Sequence, residues 1–352
     1  MARPEPSPEI SKIIGDLKTG HAALVLGPEI FDVDGVPMQH YVRQKIERQF
    51  REQIAAYYER DGFFILRNQD DKPEIAEAVA DLFRDLRPNE DLFRKIIEIP
   101  FPLVVSVNPD TFLSDLAFRL GVSHRFAAFY PNNPEEIETP TRELPLFYNA
   151  AGCVAREASL LLDYDDLLRL LEGMLSAPKL PERLRNKLGD TKSFLFLGFQ
   201  FDRWHTQLML RLLNMRQAVR RIAHKTTLPD DDTQAFLLNQ FKIKFLGDER
   251  DLLDDLHSAC ANEGILRVTI PPGSAEQGDI IRWLQKGEVE KALETLLAVA
   301  QNSAFSDEAT LLAGQYRSLL REKASLDSRD FFPRQNRIAD AILQLTKQLP
   351  SR

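Results

Sequence analysis

Cysteine is nearly absent: Cys153 and Cys260 are the only two in 352 residues. Two isolated thiols make neither a disulfide framework nor a thiolate metal site, and both read as small buried residues. Long apolar runs are missing too. No stretch approaches the roughly 18 residues of a membrane span, and the first residues, MARPEPSPEI, lack the apolar segment of a signal peptide. The expectation is a soluble, cytoplasmic protein that does not bind membranes. An excess of positive charge is also missing, with a formal net charge of -8 and a pI near 5.4. General nucleic-acid binding is therefore not expected, because phosphate affinity rests on clustered Lys and Arg. There is no Walker A loop, no GxSxG elbow, and no set of His and carboxylates at ligand spacing, so no metal is expected.

The chain does contain short apolar runs that break on a Gly or small polar residue before helical periodicity begins. They are AALVLG ending at Gly27, PLVVSVN at Asn108, LPLFYN at Asn149, SLLLD at Asp163 and SFLFLG at Gly198. Strands apolar on both faces, alternating with helices, predict an α/β fold with a doubly wound, Rossmann-like parallel sheet. Such sheets bind ligands at the carboxyl ends of their strands. Residues 36–100 turn to helical spacing, with VRQKIERQFREQIAAYY and IAEAVADLFRDL as the clearest cases, and read as a helical insertion. A late strand is expected at Phe241–Leu246. The Pro- and Gly-bearing stretch RVTIPPGSAEQG marks a linker over 267–276 between a body, 1–266, and a tail, 277–352. Four amphipathic faces in the tail predict a small all-α helical bundle.

Each candidate site has a plain structural explanation beside the functional one. Asn108-Pro109-Asp110 reads as N-cap, first helical position and first turn, or as Asn and Asp at a strand end contacting a ribose or nicotinamide. Gly27 reads as a turn or as a close approach for a phosphate, although Pro28 removes one N–H. Gly198 ends a strand, Asp202 is placed to cap the next helix, and His205 reads as a helix-surface residue with no partner. Asp163 as N-cap with Asp166 three residues on explains DYDDLL without chemistry.

Taken in order, LVLGPEIF, VVSVNPDTFLSDLAF, LPLFYNAAG, ASLLLDYDDL and FLFLGFQFD resemble the NAD-binding domain of the sirtuin-like family, in its bacterial defence-associated branch. The likeness covers roughly Ile10 to Leu266. It implies a phosphate-cradling Gly-Ala-Gly-x-Ser loop, matched here only at Gly27, with Pro28, Glu29 and Ile30 departing from it. It also implies a Thr-x-Asn-x-Asp segment holding the nicotinamide ribose, matched at Asn108 and Asp110, which become the candidate catalytic pair. The family's His-Gly pair falls on Ala151-Gly152, so the usual base is replaced by a residue that cannot carry a proton; Asn149 is a polar but non-titrating substitute. The late Gly followed by a hydroxyl residue maps to Gly198-Phe199, and Asp202 matches an acidic position of several bacterial members. Gly27, Asn108, Asp110, Asn149, Gly198 and Asp202 are thus the implied cofactor-binding residues for NAD or an ADP-ribose derivative. The tail, from GDIIRWLQKGEVEKALETLL to SLDSRDFFPRQNRIADAILQLTKQL, resembles the effector-associated, death-like adaptor domains of bacterial conflict systems, which implies a protein partner carrying a like domain.

Three functions follow. The first is a nucleotide-binding sensor and adaptor in an antiphage defence system, a pseudoenzyme that recruits its partner through the tail. The second is an active NAD glycohydrolase (NADase). The third is a scaffold without a ligand, and a homo-oligomer is compatible with each.

Overall fold

The computed structural model describes residues 7–33, 35–86, 88–131, 136–175, 180–212, 220–224, 230–246, 249–269, 279–281, 283–284, 287–300, 305–322 and 328–349. The expected linker lies outside the described residues from position 270 onward. The chain divides into two compact units, Met1–Leu113 with Arg125–Leu266, and Ser114–His124 with Arg267–Arg352.

The first unit is built on strands β1 (Ala22–Leu26), β6 (Leu103–Ser106), β7 (Arg125–Ala128), β8 (Leu146–Asn149), β9 (Ser193–Leu197), β10 (Arg220–His224) and β11 (Ile243–Leu246). They form one seven-stranded sheet in the order β11-β10-β9-β1-β6-β8-β7, parallel throughout. The sheet is flanked by helices, as a Rossmann-like α/β fold requires. Its middle strands are buried on both faces, with Ala23, Val25, Leu103, Val105, Phe194 and Phe196 in one continuous core, which is why the sequence shows unbroken apolar runs there. The chain leaves β1 toward β6 on one side and returns to β9 on the other. The strand order therefore reverses between β1 and β9, where a doubly wound sheet opens its ligand crevice.

Helix α1 (Pro8–Lys18) precedes the first strand, capped by Ser7. Its Asp16 accepts hydrogen bonds from Ser193 and Arg220 at the start of β9 and β10, holding those strands in register from below.

The inserted segment is not wholly helical. It contains α2 (Met38–Gln49), α3 (Lys72–Asp85) and α4 (Glu90–Glu98), but also the small ribbon of β2 (Asp32–Val33) with β3 (Val36–Pro37) and the hairpin of β4 (Ile54–Tyr58) with β5 (Phe63–Leu66). The helix expected through IAAYY stops at Gln49. That run is β-branched and aromatic, and it gains cross-strand partners in Phe63–Leu66 that a helix would not offer. SLLLD is not a sheet strand either. The edge strand beside β8 is β7, and Leu162 lies against the hairpin, accepting a 2.8 Å bond from Phe64 N–H. The late strand begins at Ile243 rather than Phe241, because helix Asp231–Phe241 ends on Lys242, whose left-handed φ of 57° turns the chain.

In the second unit, helices Val289–Ala300, Ser306–Glu322 and Ser328–Gln348 bury Leu293, Leu296, Leu312, Tyr316 and Ile342 in a core shared with Ile280 and Leu284. The i, i+3, i+4 spacing of these residues puts them on one face of each helix. Phe118, from the segment Ser114–His124, packs against the same core.

Candidate functional site

The largest difference from the expected site lies at the reversal point between β1 and β9. There the loops after the two strands are in direct contact. A Cβ on Gly27 would sit 2.1 Å from the Gly198 carbonyl oxygen, and one on Gly198, whose φ is +69°, would sit 2.3 Å from Ile30 N. Gly27 N–H donates to Leu197 O at 2.8 Å, Glu29 N–H to Gly198 O at 3.0 Å and Ile30 N–H to Gly27 O at 3.4 Å. Pro28 has no N–H to offer. The amides that would cradle a phosphate after the first strand are therefore occupied by the protein's own carbonyls.

The ends of β6 and β8 carry a second hydrogen-bonded group. Asn108 is 3 % exposed, and its Nδ2 donates to Gly27 O at 3.0 Å, while its N–H is bonded to Ser106 Oγ at 3.0 Å. Asn149 Nδ2 donates to Asp110 O at 2.8 Å. The helix does not begin at Pro109 but at Phe112 (α5, Phe112–Arg119), and Asp110 Oδ1, not Asn108, accepts the Phe112 N–H at 3.1 Å. Asn108 is thus no N-cap; it ties the end of β6 to the end of β1.

A cavity of about 180 Å³ lies at these strand ends, roofed by the insertion. Asn108 and Pro109 reach it from β6, Ala151 from β8, Phe199 from β9 and Pro28 from β1. Asn108 and Ala151 are the two predicted positions that line it. Gly27, Asp110, Asn149 and Gly198 lie behind it in the loop contacts described above. Asp202 is exposed, does not line the cavity, and makes no side-chain hydrogen bond among the described residues; helix α8 (Trp204–Leu212) starts two residues later.

Two cavity residues, Asp61 and Arg203, escaped the sequence reading, and a third, His205, was expected on a helix surface. The β4–β5 turn dips into the site. Gly62 permits this with a φ of +86°, a conformation that strains any side chain. Asp61 is 5 % exposed. Its Oδ2 accepts bonds from the Tyr164 hydroxyl and from Trp204 Nε1 at 3.1 Å, and its backbone oxygen accepts from Arg203 at 3.3 Å. Burial alone would raise the Asp61 pKa, but these two donors and nearby positive charge outweigh it, and the pKa falls below its ordinary value. Burial, and then the Asp61 carboxylate, push the Tyr164 pKa up. His205 is no surface residue. It packs on Phe63 at 5.5 Å between ring centroids, and burial followed by the Arg203 charge lowers its pKa to about 4. The imidazole is neutral at pH 7. One signal for the turn was available, since Asp61-Gly62 between IAAYY and FFIL is a hairpin dipeptide.

A buried ion cluster holds the roof. Lys72 Nζ lies 2.8 Å from Asp163 Oδ2 and 2.6 Å from Asp166 Oδ1, joining α3 to helix α6 (Tyr164–Leu175). Asp163 Oδ1 accepts Asp166 N–H at 3.0 Å, so the expected cap is present. Among the described residues, no group of three or more His, Cys, Asp and Glu is placed to hold a metal ion. None of their helices is long and apolar enough to cross a membrane. Cys153 and Cys260 are both buried and are not joined in a disulfide.

Comparison with known families matches residues 102–246 to the SIR2-like domain and residues 275–350 to Effector-associated domain 11. No curated protein matches the chain. SIR2-like domains are NAD-related, and the pairing with an effector-associated domain suggests a defence-system effector module that interacts with other proteins. The chain therefore combines a SIR2-like domain with a C-terminal effector-associated domain.

Proposed function

We propose that this protein is a nucleotide-sensing adaptor of an antiphage defence system, whose body binds NAD or an ADP-ribose derivative without turning it over. The helical unit recruits a protein partner carrying a like domain, and the protein acts in the cytoplasm. The observation that carries this reading is the cavity wall: Asn108 remains at the strand end, while Ala151 stands where the SIR2-like family's proton-carrying His is implied. A binding place is retained where a base is not. The Glu29 and Ile30 amides are engaged by the protein's own carbonyls, so the phosphates of the ligand would be met elsewhere than in the family's usual cradle. A calorimetric titration of the full chain with NAD and with ADP-ribose tests it. Saturable heat from either ligand is expected, and absence of heat from both returns the body to a scaffold role.

The NAD glycohydrolase is the second reading, and His205 is the observation in its favour. A neutral imidazole in the same cavity as Asn108 has a lone pair with which to accept a proton from an attacking water. Its low basicity weighs against efficient proton transfer near neutral pH.

A further inference from the structure

We propose that a second cavity, at the amino ends of the outer strands β10 and β11, binds a small phosphate ester through Arg211, Arg221 and Lys242. The site goes beyond the reading of the body as an NAD-binding module. It lies at the other end of the parallel sheet from Asn108, which follows the carboxyl end of β6, and it takes its residues from other elements.

Helix Asp231–Phe241 runs into β11 through Lys242, and Arg221 of β10 pairs with Ile243, the first residue of β11. With the end of α8 these residues enclose about 420 Å³. Three of the lining side chains are cations, and no carboxylate lines the cavity among the described residues. In a chain of net charge -8 this wall runs against the overall balance and concentrates positive potential where an anion would sit. Arg221 is 5 % exposed. Its Nη1 donates to Phe241 O, which fixes the guanidinium at the end of the helix. Burial lowers the Arg221 pKa from its usual value, yet an arginine stays charged at neutral pH. Arg211 is exposed and lies over the Phe241 ring, 5.2 Å from its centroid. Lys242 is the one residue other than Gly with a positive φ among the described residues, at 57°. Gly usually ends a helix in this conformation. The Lys242 N–H closes the helix on Leu237 O and Leu238 O, a task any backbone performs. A lysine here is strained by more than an exposed cation at a helix end returns, so the gain lies with the ammonium at the cavity.

The rest of the wall selects the kind of anion. Phe196, Leu210 and Ile243 line the cavity with apolar surface beside the cations. Such a division suits a phosphate joined to an organic body better than a bare ion. The volume falls within the roughly 300–1,000 Å³ of pockets that enclose small organic ligands, well beyond what free phosphate fills. Arginine forks take phosphate oxygens in pairs, and a lysine adds a compact charge.

The test titrates the full-length protein calorimetrically with AMP, adenosine and inorganic phosphate, in the wild type and in Lys242→Gly and Arg211→Gln, with thermal melts alongside. Lys242→Gly removes the ammonium and keeps the left-handed turn, so its melting temperature should equal or exceed that of the wild type. Arg211 is exposed, and its replacement should leave the fold intact. Saturable AMP binding is expected, tighter than phosphate, with no heat from adenosine. Each variant should weaken AMP about fivefold to tenfold, as the loss of a charge-assisted hydrogen bond implies. Raising NaCl from about 50 to about 300 mM should weaken it further through screening. Absence of AMP binding, adenosine binding as tight as AMP, or AMP affinity unchanged in both variants overturns the site. Phosphate as tight as AMP overturns the ester in favour of a free ion. NAD binding that survives in both variants while AMP is lost separates this site from the NAD-binding cavity. If NAD fails to bind and the AMP pattern holds, the sensor reading falls and this site stands.

Discussion

Acidification from pH 7 to pH 5 is expected to cost the body about 2 kcal/mol through His205 alone. The His205 pKa is near 4 in the folded protein against an ordinary 6.5, because burial and the Arg203 charge both disfavour the imidazolium. Between these values the unfolded chain binds the proton and the folded one does not, so stability rises with pH across that window and falls as the pH drops through it. At about 1.4 kcal/mol per pH unit the full loss approaches about 3 kcal/mol near pH 4. The Asp61 pKa is shifted down as well, below its ordinary value near 3.8. Its contribution is present above that value and is lost only below it, so it stays nearly constant down to pH 5. The assay is urea unfolding at pH 7 and pH 5 of the wild type and His205→Phe, followed by tryptophan fluorescence in a Trp283→Phe background so that Trp204 reports the body. The wild type should lose about 2 kcal/mol more than the variant between the two pH values. An equal loss would show that His205 titrates normally and is not held neutral in the cavity.

The loop contact at the strand reversal makes Gly27→Ala severe. Its Cβ would meet Gly198 backbone at 2.1 Å, so overpacking should cost about 3 kcal/mol in a urea melt, and an unchanged midpoint would refute the contact. Lys72→Met leaves two carboxylates, Asp163 and Asp166, without the ammonium that both contact. A loss of about 3–5 kcal/mol at pH 7 is expected, smaller at pH 4 where Asp166, already raised by its burial, takes up a proton. Ala151→His restores a titratable group at the cavity wall but does not free the Glu29 and Ile30 amides. No nicotinamide release is expected from this variant, and measurable release would show that only the base was missing.

The core strands were legible because burial on both faces forces apolar runs: β1, β6, β8 and β9 all stand where the sequence placed them. β7 and β10 were not. RFAA and RRIAH carry arginines, and their strand character depends on pairing with β8 and β9 rather than on composition. IAAYY misled because its inner residues are exposed in the hairpin and mimic one face of a helix. For the site, a strand-end rule finds Asn108 and Ala151, since both follow sheet strands. Asp61 and His205 come from a hairpin turn and a helix, and their meeting at one cavity is set by tertiary packing. Several residues of the predicted cofactor set make loop contacts: Asn149 binds the Asp110 carbonyl, and Gly27 packs on Gly198.

The most direct test of the central claim is a single-turnover incubation of NAD with the full-length protein in molar excess at pH 7, sampled for free nicotinamide over hours. The account predicts that NAD is bound and recovered intact, because Ala151 cannot carry a proton. Release of nicotinamide in proportion to bound NAD, abolished by Asn108→Ala, would contradict it and make the body an NAD glycohydrolase.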